Sequence, residues 1–175
     1  MKIAITGHTK GLGKALESLL SDNHQVVGFS RSNSYNLADV SKIVDNAAHC
    51  DVFINNAYHE YYQCDLLLKM FQLWKDDETK QIVSIGSTVT DYPRIERELD
   101  HMPWPYRDHK IGLQRLFRNL IKQPHKCKML LVSPGAIDTD MIAHLPGIKM
   151  SPVAVADIIV KTLEYPLIKE ITIYE

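Results

Sequence analysis

Cysteine is scarce in this chain, and Cys50, Cys64 and Cys127 are an odd number without metal-ligand or redox spacing. They read as reduced, buried thiols of a cytosolic protein. An excess of one charge is also lacking: 20 Lys and Arg against 21 Asp and Glu leave a net charge of −1. There is thus no global pull toward nucleic acid or anionic lipid. No apolar run approaches the ~18 residues of a spanning helix. The start, MKIAIT, passes directly into a strand-like run with no signal-peptide flank. Repeats, linkers and low-complexity tracts are missing as well. The expectation is a soluble, cytoplasmic, single-domain protein of 175 residues whose partners are met at a local site.

What is present is an alternation of two patterns. Apolar, β-branched runs occur at 2–6, 25–29, 51–54, 81–85, 128–133 and 170–174, as in strands buried on both faces. Between them apolar residues recur every three or four positions, as at Leu12, Leu16, Leu19 and Leu20, or Leu113, Leu116, Phe117, Leu120 and Ile121. Such stripes mark helices. Parallel strands need crossover connections, so the alternation predicts an α/β fold: a Rossmann-type, doubly wound parallel sheet with helices on both faces. The segment 87–105, charged and holding Pro93, Pro103 and Pro105, is a long loop, equally consistent with an active-site wall and a surface excursion.

Three of the eight glycines, Gly7, Gly11 and Gly13, fall in the first strand-to-helix turn, Thr6-Gly7-His8-Thr9-Lys10-Gly11-Leu12-Gly13. Glycines there let backbone approach a pyrophosphate, which then faces the N–H groups and dipole of the helix. Gly7, Lys10, Gly11, Leu12 and Gly13 are therefore candidate dinucleotide contacts. At the end of the second strand an acidic residue would suit a ribose 2′-hydroxyl and a basic one a 2′-phosphate. The chain has Ser30-Arg31 there and no carboxylate. Arg31 offers a planar fork matched to phosphate, and Lys10 adds a second positive charge, so NADP(H) is favoured over NAD(H). Taken alone, Arg31 would be a solvated strand-end charge.

A tyrosine can protonate a carbonyl oxygen, but a phenol with an ordinary pKa of ~10 needs a nearby cation to ionise near neutrality. Tyr106 and Lys110 lie one helical turn apart at the start of an amphipathic helix. The same spacing recurs at Tyr165 and Lys169, but Pro166 between them and the strand beyond argue against a shared helical face.

In order along the chain, Thr6-Gly7 with Gly11 and Gly13, Asn55-Asn56-Ala57, Ile85-Gly86-Ser87, Tyr106 with Lys110, and Pro134-Gly135 with Thr139 resemble the short-chain dehydrogenase/reductase family, in its classical branch. The resemblance implies a small-molecule carbonyl or alcohol substrate and a catalytic set of Ser87, Tyr106 and Lys110. Ser87 would bind the substrate oxygen, Tyr106 would act as acid or base, and Lys110 would hold the nicotinamide ribose and lower the tyrosine pKa. Pro134, Gly135, Ile137 and Thr139 would contact the nicotinamide end. Asn36, Leu37, Asn55 and Ala57 would lie near adenine and ribose, with Asn56 also among the cofactor contacts. Hydroxyl donors aimed at a developing oxyanion are what hydride transfer to a ketone requires. Read by itself, Ser87 is a strand-end cap.

Four departures from the family pattern stand out. Tyr58 replaces the glycine expected after Asn-Asn-Ala, with bulk that would crowd the cofactor cleft or stack beside it. Only 31 residues separate Asn56 from Ser87, which predicts a shortened helix. No asparagine lies between Asn56 and Asn119, so the family's helical asparagine is absent, and Gln63 is a conceivable substitute to which no role is assigned. Ser87 and Tyr106 stand 19 apart, a long spacing, whereas the segment after Thr139 is too short for a large substrate lid. A reduced lid leaves two alternatives: an open site for bulky substrates, or one completed by another subunit in a homo-oligomer. The leading expectation is an NADP(H)-dependent oxidoreductase; the alternative is a non-catalytic NADP-binding redox sensor. The histidines show no metal-like cluster, and the basic run Lys122, His125, Lys126 and Lys128 lacks the interleaved aromatics of a nucleic-acid site, so neither metal nor nucleic acid is expected.

Overall fold

The computed structural model describes residues 1–91 and 104–174. Six strands form one sheet: β1 (Lys2–Thr6), β2 (Gln25–Phe29), β3 (Val52–Asn55), β4 (Gln81–Ile85), β5 (Lys128–Pro134) and β6 (Glu170–Ile173). Every pairing is parallel, and the spatial order is β2-β1-β3-β4-β5-β6. The crossovers carry α1 (Gly11–Ser21), α2 (Val40–Ala47), α3 (Tyr62–Trp74), α4 (Trp104–Leu120) and α5 (Pro152–Thr162).

Both faces of the sheet are buried, which is why its strands read as unbroken apolar runs. Side chains alternate between the faces. Ile3, Ile5, Val52, Ile54, Val83, Leu130 and Val132 join Leu12, Leu16 and Leu20 of α1 and Val155, Ala156 and Ile159 of α5 on one side. Ala4, Phe53, Ile82, Met129 and Leu131 join α2, α3 and α4 on the other, where Trp74 is a core residue. Cys50 and Cys127 are buried free thiols as expected; Cys64 is only partly buried. No described helix is long and apolar enough to cross a membrane.

The order reverses between β1 and β3, because the chain leaves β1 toward β2 on one side and returns to β3 on the other. In an open parallel sheet such a reversal leaves a crevice outside the carboxyl ends of the strands. Short 3-10 turns follow three strands at this end: Arg31–Asn33 after β2, Thr88–Thr90 after β4 and Asp140–Ile142 beyond β5.

Candidate active site

The glycine turn stands between β1 and α1, beside the reversal. Gly7 has a φ of +71°, a backbone conformation that favours glycine, and a Cβ on Gly13 would run into the Gly7 carbonyl oxygen. Helix α1 starts without a side-chain cap and without an acidic residue in its first turn. Its N-terminus therefore presents N–H groups with no competing carboxylate, a fit to phosphate oxygens. The turn is tied to the end of β3 through Thr6, whose Oγ1 accepts from Asn56 N and Ala57 N, both at 2.9 Å, while Asn56 Nδ2 donates to Thr6 O at 2.9 Å. Thr139 completes this wall, its methyl group lying against Gly11.

Several candidate cofactor residues are placed differently from expectation. Leu12 is buried in the core with α5, so only its backbone can face the crevice. Asn55 is fully buried and its Nδ2 donates to Gln63 O at 2.7 Å, so this side chain ties strand to helix. Lys10, expected to reinforce Arg31, directs its Nζ to Asp140 Oδ2 at 3.4 Å, bridging the glycine turn and the segment after Thr139. Both side chains are largely exposed, so this pair is weak.

The remaining candidates lie in the segment that follows β2 and from the end of β5 onward. Arg31 is exposed and forms no ion pair among the described residues, while Ser30 closes the turn around it by bonding Ser32 Oγ and Asn33 Oδ1. Asn36 is exposed and caps Ala38 N; Leu37 packs on the core beside α2. Gly135 N donates to Ile173 O, and Ile137 pairs with Met150 and packs on the core, which braces the backbone from Pro134 to Thr139.

Across the crevice, α4 delivers Tyr106 and Lys110. Helical spacing sets both toward the end of β4. The Ser87 side chain stands close enough to the Tyr106 phenol to pull its pKa down in the manner of a hydrogen-bond partner. Ser87 Oγ also accepts from Val89 N at 3.3 Å, so it caps a turn and meets the tyrosine at once. Tyr165 and Lys169, by contrast, lie outside any helix, with Tyr165 exposed.

Lys110 is a buried cation, 3% exposed, and a buried cation needs partners. Its Nζ donates to Ile85 O at 2.7 Å and to Gln63 Oε1 at 2.9 Å. Gln63 Nε2 in turn donates to Asn55 O at 2.8 Å and to Ile85 O at 2.9 Å. Gln63, to which the sequence assigned no role, is thus the side chain that meets the lysine. The one signal in the sequence is the missing asparagine, for which Gln63 is a conceivable substitute; a lone glutamine at the start of a helix carries no signature of the contact itself.

Burial pushes the Lys110 amine down to about 7. Burial also pushes the Tyr106 phenol up, and the nearby Ser87 only partly opposes it. The lowered tyrosine pKa expected from Lys110 is therefore not found: desolvation outweighs what a cation turned toward Gln63 and Ile85 supplies. Tyr58 adds to the enclosure. Its ring meets that of Tyr106 edge-on at 4.7 Å, the Lys110 Nζ stands 5.7 Å from its centre, and its hydroxyl is 2.9 Å from His109 Nδ1. The bulk at position 58 is thus set edge-on against the tyrosine and close to the lysine. Residues 92–103 and the Trp104 side chain, which include much of the charged loop, lie outside the described residues. No group of residues among those described could hold a metal ion.

No protein-family profile and no curated protein matches the sequence. Solved structures do match its shape. A short chain dehydrogenase from Burkholderia cenocepacia in complex with NADP superposes with a TM-score of 0.78 at 17% identity, covering 98% of this chain and 87% of that one. The 3-alpha-hydroxysteroid dehydrogenase from Pseudomonas sp., complexed with NADH, gives 0.77 at 19%, covering 99% and 94%. The 3-ketoacyl-(acyl-carrier-protein) reductase from Brucella melitensis, also with NADH, gives 0.76 at 16%, covering 99% and 96%. The fold is that of short-chain dehydrogenases across nearly the whole chain.

Proposed function

We propose that this protein is an NADP(H)-dependent oxidoreductase of the short-chain dehydrogenase/reductase type, reducing a carbonyl or oxidising an alcohol with Tyr106 as acid or base. The observation that carries the proposal is the meeting of Tyr106 and a buried Lys110 at the carboxyl end of β4 beside Ser87: Lys110 Nζ bonds Ile85 O at 2.7 Å and stands 5.6 Å from the centre of the Tyr106 ring. Two hydroxyls converge where a substrate oxygen would sit, across the crevice from a helix N-terminus suited to phosphate.

The bound nicotinamide would supply or accept the hydride. In the reducing direction Tyr106 donates its proton to the carbonyl oxygen as charge develops there, while Ser87 holds that oxygen by its hydroxyl. A phenol pushed up by burial stays protonated at neutral pH, as the donor role requires. The exposed Arg31 favours NADP(H), by offering its guanidinium to a 2′-phosphate. The sensor alternative drew on the missing asparagine and the shortened helix, and Gln63 bonded to Lys110 weighs against the first of these.

The test is NADPH oxidation against a panel of aldehydes and ketones, with Tyr106→Phe as control. The variant is expected to lose about 10²–10⁴-fold in rate with NADPH affinity intact. NADPH binding with no turnover anywhere in the panel would support the sensor instead, and an undiminished Tyr106→Phe enzyme would remove the tyrosine from the chemistry.

A further inference from the structure

We propose that Gln63 is a positioning residue for Lys110, a neutral clamp that holds the amine in place whether or not it carries a proton. The inference rests on the proposed function for its catalytic meaning, though the clamp itself is a matter of geometry.

The orientation of the Gln63 amide is fixed by its surroundings. Its nitrogen end bonds two carbonyl oxygens, of Asn55 and Ile85, and its oxygen end bonds Lys110 Nζ. Turning the amide over would set its NH₂ against the amine and its oxygen against two carbonyls, breaking all three bonds. The reciprocal bond from Asn55 Nδ2 to Gln63 O pins the backbone as well. At 2% exposure, Gln63 has no solvent to turn toward.

Both groups that hold Lys110, Gln63 Oε1 and Ile85 O, only accept. An ammonium has three N–H groups and a neutral amine two, so both bonds survive loss of the proton. A carboxylate at position 63 would act differently, holding Lys110 charged. Among the described residues the titratable groups that face Lys110 are Cys64 on α3, Tyr58 between β3 and α3, and Tyr106 on its own helix, with His109 bonded to Tyr58; no carboxylate is among these. Cys64, pushed up to about 11 by burial, stays uncharged at neutral pH, and Tyr58 and Tyr106 are likewise raised. The amide therefore leaves Lys110 free to titrate near neutrality without moving.

The experiment follows the lysine ε-carbon resonances of ¹³C-labelled full-length protein against pH, with the Lys110 signal identified by its loss in Lys110→Met. In wild type the Lys110 signal should titrate well below the other lysines. In Gln63→Glu its midpoint should rise by at least about one pH unit, as for an opposite charge within hydrogen-bond distance. In Gln63→Met, which lacks the acceptor, it should fall. A folded Gln63→Glu protein with an unmoved Lys110 midpoint overturns the proposal. Should both variants unfold, the wild type still decides: the Gln63 side-chain amide resonances must shift in step with the Lys110 titration, and their indifference overturns the clamp. If carbonyl reduction is found, the lysine limb of its pH profile should move with Gln63→Glu. Coupled titration without turnover on any carbonyl defeats the enzymatic reading alone, and turnover without coupling defeats the clamp alone.

Discussion

A side chain's surroundings, more than its type, decide its part in this site. The spacing of Tyr106 and Lys110 is legible in the sequence but so is that of Tyr165 and Lys169; helix α4 and Ser87 distinguish the first pair in space. Gln63 is legible only as a conceivable substitute for the missing asparagine, because its contact with Lys110 joins residues 47 apart in sequence and depends on how two helices flank one strand end. Nor could sequence show that Lys10 would meet Asp140 in an exposed, weak pair, whereas Arg31, the cation that follows β2, forms no ion pair among the described residues. That isolation makes Arg31→Asp a clean substitution. An exposed side chain with no ion pair among the described residues contributes little to stability, so the melting temperature should hold. Affinity for NADPH should fall roughly 10- to 100-fold, the worth of a charged hydrogen bond, while NADH affinity changes far less. Parallel titrations of nucleotide fluorescence measure both, and equal losses would end the NADP preference.

At the level of elements the apolar patterns were sufficient. Each of the six expected strands and each helical stripe is present, because strands buried on both faces and helices packed on one face leave different periods. The 3-10 turns after β2, β4 and beyond β5 were not foreseen: three residues have no period, and local capping such as that by Ser87 and Asn33 decides them. Between β1 and α1 the constraint is steric. A methyl group on Gly13 would meet the Gly7 carbonyl oxygen and crowd Asn56 Nδ2, the latter part of the tie between the turn and β3. Gly13→Ala should therefore force strand and helix apart at a cost of about 1–3 kcal/mol, seen as a lower urea midpoint. It should also abolish NADPH binding, because the phosphate-facing backbone moves with it. Wild-type affinity in a destabilised Gly13→Ala protein would show that the phosphates lie elsewhere.

For the whole molecule, the sheet order concentrates polar groups at one end, and one of them, Lys110, lies deep enough to tie global stability to pH. Its native amine, pushed down to about 7, sheds its proton while the unfolded chain keeps lysine protonated to about 10.4. Above pH 7 the unfolded state therefore holds more protons, and stability rises with pH. Below pH 7 the amine is charged in both states, and the full cost of burying that charge remains. Cys64 and Cys127 act in the opposite sense at higher pH. Their native thiols, pushed up to about 11 by burial, stay protonated when unfolded thiols ionise from about 8.5, so stability falls as pH rises there. Stability should thus climb between about pH 7 and 8.5, by on the order of 2 kcal/mol from Lys110, and decline beyond. Urea unfolding at half-unit pH steps, under reducing conditions, measures the curve. In Lys110→Met the climb should vanish while the alkaline decline stays, since the thiols are untouched. A variant that kept the climb would show that some other group carries it, and that the native amine holds its proton through neutrality.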